Sequence, residues 1–269
     1  MPPAPHHVLL LGGHGKIAQL LTPLLLRRGW DVTSVIRTEA QVPTIQALAP
    51  KDGDEGTKGK LKVLVRSLEE VKSEGDAGRV IAEWGGDYVV WSAGAGGKGG
   101  PERTYAIDRD AAIHFIRAAA AAPHVTRFLM VSYLASRRAR PAWWSDDAWA
   151  AARHVNEQIL PHYYRAKLAA DEALYTASKE KADGSFVGIN LRPGTLTFEP
   201  AGRVELGKTA HSQGNVSRAT VARVADLLLA SEGIKNTWLD LLDGEEDAEV
   251  AVERVVKEGV NAAEGEDVY

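Results

Sequence analysis

The chain has 269 residues, 45% hydrophobic and 25% charged, which is long enough for a large buried core and too ordinary in balance for a disordered or fibrous protein. It holds no cysteine, which excludes a disulfide framework, a thiolate metal site and a cysteine nucleophile, and no metal site is expected. A net charge of −4, apolar runs too short to span a bilayer and no basic cluster beyond Arg137-Arg138-Ala139-Arg140 argue against membrane and nucleic-acid partners.

Met1 to His7 lacks a charged start followed by an apolar core, so a cytoplasmic protein is expected. The charge is uneven. From Gly244 to Tyr269 nine acidic residues face two basic ones, and this tail reads as a solvated helix face with a frayed end.

In chain order, His7 to Leu11 is an apolar run of strand length that breaks at Gly12-Gly13. A helical pattern follows, with Ile17, Leu20, Leu21, Leu24 and Leu25 on one face and Pro23 predicting a kink. A strand, a tight turn and a helix make an anion site, because the first amides of a helix lack partners and its dipole is positive there. Gly12-x-x-Gly15-x-x-Ala18 is a variant of the dinucleotide fingerprint, with alanine in place of the third glycine.

Gly29 ends that helix, and Trp30 to Ile36 reads as a second strand leading into Arg37. An NAD-binding chain places an acidic residue there, roughly 20 residues past the glycines, to take the ribose hydroxyls. Arg37 instead suits a 2′-phosphate, helped by His14 and Lys16, so NADP(H) is favoured over NAD(H).

Thr38 to Pro50 is expected to be helical and Lys51 to Lys60 a surface loop, before a third strand at Leu61 to Val65 with Arg66-Ser67 at its exit, on the adenine side. Leu68 to Glu83 reads as a helix interrupted near Gly75, and Tyr88 to Trp91 as a fourth strand running into the glycine-rich exit loop from Ser92 to Gly100. Arg103 to Ala122 reads as a long helix with Ile107, Ala111, Phe115 and Ala118 toward the sheet, and Phe128 to Val131 as a fifth strand opening into Ser132-Tyr133.

Trp143 and Trp144, in the loop from Arg137 to Asp147, are either a lid over a cleft or the core anchors of an insertion. Helices are expected from about Asp146 and from Pro161. Tyr163 and Lys167 are four apart and share a helix face, the spacing at which a phenol exchanges a proton while a lysine lowers its pKa and holds the nicotinamide ribose. Tyr164 leaves open which phenol faces the cofactor. Strands at Phe186 to Leu191 and Trp238 to Leu242 and helices at Ser217 to Ala230 and Asp247 to Gly259 complete an alternation that implies a parallel sheet covered on both faces.

Gly12-Gly13-His14-Gly15-Lys16-Ile17-Ala18, Ser92-Ala93-Gly94-Ala95, Ser132, Tyr163-Tyr164-Arg165-Ala166-Lys167, Leu191-Arg192-Pro193-Gly194 and Val216 to Ala222 occur in an order that resembles the short-chain dehydrogenase/reductase superfamily, specifically its atypical, NmrA-like branch, over nearly the whole chain. The resemblance implies an α/β Rossmann fold, a doubly wound parallel sheet with a small substrate-covering subdomain. Residues 1–269 would form one NAD(P)-binding domain, with 139–161 and 193–213 as substrate-side insertions.

By the same resemblance Ser132 orients a substrate oxygen, Tyr163 gives or takes the proton, and Lys167 holds the ribose and supports the tyrosine. Cofactor contacts are expected from Gly12, Gly13, His14, Gly15, Lys16, Ile17, Arg37, Arg66, Ser67, Ala93, Gly94, Ala95, Lys167 and Pro193. The implied function is an NADP(H)-dependent oxidoreductase or epimerase acting on a small carbonyl or hydroxyl compound, as a monomer or homodimer. A non-catalytic NADP-sensing regulator, or a flavin- or tetrapyrrole-type reductase without a catalytic tyrosine, are the alternatives.

Overall fold

A strand covered on both faces needs an unbroken apolar run, and β1 (His7–Leu11) buries Val8 to Leu11 completely. The computed structural model describes residues 5–50, 59–96, 99–181 and 183–269, so most of the loop expected from Lys51 to Lys60, and part of the one from Ser92 to Gly100, lie outside the described residues. The turn after β1 delivers the chain to α1 (Lys16–Arg27), which runs unbroken through Pro23 and buries Ile17, Ala18, Leu21, Leu25 and Leu26. Leu20, expected on the inner face, is 43% exposed.

Then come β2 (Asp31–Ile36), a short 3₁₀ turn with α2 (Val42–Gln46) in place of the longer helix expected, β3 (Leu61–Val65), α3 (Glu74–Trp84) and β4 (Tyr88–Trp91). Ser73 caps α3 by accepting the Asp76 amide, and Gly85 ends it in the left-handed region, so the stretch from Leu68 starts late for a local reason. The helix expected at Arg103–Ala122 is α4 (Gly100–Thr104) continuing through a wide π-helical segment, Tyr105–Ala111, into α5 (Ala112–Ala121). Such widened turns are frequent at functional sites, and this one carries Asp108.

Beyond β5 (Arg127–Val131) lie α6 (Asp146–His154), with a second π-helical stretch at Val155–Ile159, and α7 (Pro161–Lys179). The remaining elements are β6 (Val187–Pro193), β7 (Thr195–Thr197), β8 (Val204–Gly207), β9 (Asn215–Ser217), α8 (Arg218–Ala230), β10 (Thr237–Asp243) and α9 (Ala248–Glu258). The sequence pattern did not reveal β7, β8 and β9, because runs of three or four residues are too short to show a period.

The main sheet has the order β3-β2-β1-β4-β5-β6-β10-β8, and strand order reverses between β1 and β4. All its pairings are parallel except β10 with β8, which is antiparallel at the edge, while β7 and β9 form a separate parallel pair. One apolar core joins the sheet to α1, α8 and α9; the other joins it to α3, α5 and α7. No helix among the described residues is long and apolar enough to cross a membrane.

The fold corrects one expectation and decides another. The acidic tail does not fray: Ala262 and Ala263 are fully buried, and Glu266 is 7% exposed because it is drawn under the chain to meet buried arginine. Of the two readings of the tryptophans, Trp144 is a core anchor, 1% exposed with its indole N–H donating to the Thr209 carbonyl at 2.9 Å.

Candidate functional site

The reversal of strand order opens a crevice at the carboxyl ends of β1 and β4, where parallel α/β sheets take their ligands. Gly12 sits there at φ 84°, and a Cβ on it would lie 2.6 Å from the Ala93 Cα, so the two exit loops touch backbone to backbone. Gly15 is the N-cap of α1 and no side chain caps the helix, which leaves its first amides facing the crevice.

Gly13 has another purpose than the cofactor contact expected of it. Its amide donates to the Val35 carbonyl at 2.8 Å, and a Cβ there would stand 1.9 Å from the Ser34 Oγ. Gly13→Ala is therefore expected to destabilise the chain by about 1–3 kcal/mol through overpacking. Adding Ser34→Ala should restore part of that loss in urea unfolding; a Gly13→Ala chain as stable as the parent would show this contact to be soft.

A cavity of about 650 Å³ runs from the glycine turn toward β3, lined by Gly12, His14, Gly15, Lys16, Arg37, Arg66, Ser67, Ala93, Gly94, Ala95 and Arg103 among others. Most of the expected cofactor residues thus meet in one groove. The sequence reading missed Glu69, whose carboxylate is 2.9 Å from the Arg103 Nε and 3.8 Å from an Arg37 amino nitrogen.

A second cavity, about 450 Å³, continues on the other side of the glycine turn and includes Ile17, Thr104, Asp108, Ser132, Leu160, Tyr163, Lys167 and Leu196. Ser132 and Tyr163 are 31 positions apart, yet both reach it because α6 and its π-helical extension return the chain to the start of α7. Tyr164 is turned away from that cavity, its hydroxyl donating to the Arg137 carbonyl at 2.9 Å.

Lys167 is 2% exposed and donates to the Val131 carbonyl at 2.9 Å. Asp108 is its missed counterpart. One Asp108 oxygen accepts the Ala95 amide at 2.9 Å; burial raises its pKa, against the pull of Lys167 and that amide. The residue carried no sequence signal because it stands between positions of an apolar helix face.

Burial pushes the Tyr163 phenol well above its ordinary value, and the nearby carboxylates of Asp108 and Asp171 push it the same way. Sequence spacing alone predicts that Lys167 lowers it; the neighbouring carboxylates and the burial reverse that. Asp171, one helical turn below Lys167, is fully buried and pushed up to about 6 by burial, with Arg192 and Lys167 opposing. Tyr133, whose ring centre is 5.6 Å from that of Tyr163, is pushed up to about 12 by burial.

Pro193, expected at the cofactor, lines neither cavity. It closes β6 beside Leu241 and its carbonyl accepts the Leu134 amide at 3.1 Å, so it is committed to holding the loop that carries Ser132.

Uncapped amides at a sheet's switch point, a cationic groove on one side and a phenol with a lysine on the other suit a nicotinamide dinucleotide in size and charge, and define a dinucleotide-binding protein of the Rossmann type. Residues 12–232 match the NAD(P)H-binding family, and the chain belongs to that family, within the atypical short-chain dehydrogenase/reductases. It is 32% identical over 240 residues to UPF0659 protein C216.03 of Schizosaccharomyces pombe, covering 88% of this chain and 89% of that one. It is 31% identical over 240 residues to a Bacillus subtilis protein named as an uncharacterized sugar epimerase, YhfK, covering 88% and 94%.

Among solved structures, a protein from Bacillus halodurans, provisionally named an NAD-dependent epimerase/dehydratase, superposes with a TM-score of 0.71 at 25% identity over 93% of this chain and 99% of that one. The anaerobillin reductase ChuY of Escherichia coli O157:H7 shares the fold, with a TM-score of 0.62 at 20% identity over 89% and 98%.

Proposed function

We propose that the chain is an NADPH-dependent reductase of a small carbonyl compound, with Tyr163 as the proton donor. The observation that carries this reading is that the Tyr163 phenol lines the same cavity as Ser132 and Lys167, next to the nucleotide groove. When bound, NADPH supplies a hydride. Ser132, 5% exposed on the wall of the cavity and beside the buried carboxylate of Asp171, orients the substrate oxygen, and the Tyr163 hydroxyl gives the proton. Lys167 holds the ribose from its seat on the Val131 carbonyl.

Segments 139–161 and 193–213 cover the substrate side in this proposal, which Leu160 and Leu196 on the wall of the second cavity support. Epimerisation is the second reading, favoured by the name of the Bacillus subtilis relative. It would use the same phenol as a base, in the same cavity.

NADP preference rests on Arg37, 53% exposed by its side chain at the groove edge, and on Arg66. Titrating NADPH and NADH against the fluorescence of the seven tryptophans is expected to show NADPH binding at least about tenfold tighter, the value of one charge-assisted contact to the 2′-phosphate. Arg37→Met should remove most of that difference. Equal affinities in the parent chain would overturn the assignment.

A further inference from the structure

The two cavities share Gly15, Lys16, Ser92, Ala93, Gly94, Gly96 and one residue from far along the chain, Arg218. A dinucleotide with its adenosine half beside Arg37 and Arg66 and its nicotinamide half beside Tyr163 and Lys167 has its diphosphate in the middle. The middle must lie where the cavities join. Lys16 supplies one positive charge there, and a diphosphate carries two negative ones.

Arg218 opens α8, yet the helix cap is made by Ser217, whose hydroxyl accepts the Thr220 amide at 2.9 Å, so the Arg218 side chain is not used for capping. One of its terminal nitrogens donates to the carbonyls of Leu196 at 3.0 Å and Thr197 at 2.9 Å. The guanidinium carbon lies 4.2 Å from the ring centre of Phe198, which is itself 79% exposed. These contacts hold the side chain in one place and use a single nitrogen.

Among the described residues Arg218 pairs with no carboxylate, whereas Arg37 and Arg103 meet Glu69 in the same groove. A half-buried, pre-positioned guanidinium without a counter-charge is suited to an oxyanion, since its planar fork matches a phosphate and little rotamer freedom is left to lose. We infer that Arg218 is a diphosphate contact for the nicotinamide nucleotide, contributed by the substrate-side half of the chain.

The contact would join the loop after β6 to the cofactor, which the glycine turn by itself does not do. Cofactor binding then also steadies Leu196, a wall of the substrate cavity, through the carbonyls that Arg218 already grips. The inference rests on the chain binding a nicotinamide nucleotide and not on which reaction it performs.

Calorimetric titration of ADP-ribose, NADH and NADPH into the parent chain, Arg218→Met and Arg218→Lys tests it. These ligands share the diphosphate and differ at the nicotinamide and the 2′-phosphate. Arg218→Met is expected to weaken all three by a common factor of at least about ten, the value of one charge-assisted contact. Arg218→Lys keeps the charge and loses the fork, so a smaller common loss is expected, and it carries the test should the methionine variant fail to fold. Unchanged affinities would overturn the inference, and a loss confined to NADPH would reassign Arg218 to the 2′-phosphate. If the parent chain bound none of the three, the reading of the whole groove would fall, and not that of Arg218 alone.

Discussion

Asp240→Ala is expected to cost about 3–5 kcal/mol of folding stability, a large loss for one side chain, because it strips the counter-charge from two buried arginines. Asp240 stands on β10, fully buried, with one oxygen 2.5 Å from Arg137 and the other 3.5 Å from Arg192, both also fully buried. Burial raises the Asp240 carboxyl and both arginines pull it down, while burial lowers Arg192 to about 10. Each group is tolerable only in the presence of the others.

Removing the carboxylate would leave two buried guanidiniums held mainly by backbone carbonyls, with Glu266 at 3.9 Å from Arg137 and the raised carboxyl of Asp171 as poor replacements. The damage should reach the site. Arg192 donates to the carbonyls of Leu134 at 3.0 Å and Ser136 at 2.7 Å, and Arg137 donates to Ala262 at 2.6 Å, so the cluster ties the loop after Ser132 to the C-terminal tail. Urea unfolding of Asp240→Ala and Asp240→Asn reads the effect. Asparagine keeps the volume and should still lose most of the stability, whereas a loss under about 1 kcal/mol in both would mean that the buried charges are largely neutralised in another way.

Tyr163→Phe is expected to lower turnover by about 10²–10⁴-fold, the usual worth of a positioned general acid, with NADPH affinity unchanged. The substitution removes one oxygen and keeps the ring against Tyr133 at 5.6 Å, so packing is preserved. Tyr164→Phe is the matched control. It loses only the bond to the Arg137 carbonyl, at about 1 kcal/mol of stability and no chemistry. Normal turnover in Tyr163→Phe would favour a reductase whose substrate needs no phenol; no turnover of any carbonyl by the parent chain, with tight NADPH binding, would favour a sensor.

The strands β1, β3 and β4 and the start of α7 were legible from local pattern, since an apolar run, its breaking glycines and a helix period are all properties of neighbours along the chain. The glycine turn and its uncapped amides were legible for the same reason, and so was the Tyr163–Lys167 pair, because spacing of four on a helix fixes a shared face.

What local pattern could not reach was every partnership across the sheet. Gly12 and Gly13 look alike in sequence, yet one opens the crevice while the other is wedged against Ser34. Asp108 shares a cavity with Lys167 across 59 positions, and Arg218 lines the same cavities as the glycine turn from 203 positions beyond Gly15. The acidic tail reads as solvated until its Glu266 is found beside a buried arginine.

Composition and periodicity by themselves determined a parallel α/β sheet whose first strand hands over to a helix through a glycine turn, because those depend on short-range sterics and on properties of neighbours along the chain. Only tertiary structure decided which charges are buried, which phenol faces the cavity and which arginine stands where the two cavities join, because desolvation and placement depend on residues the chain brings together from far apart.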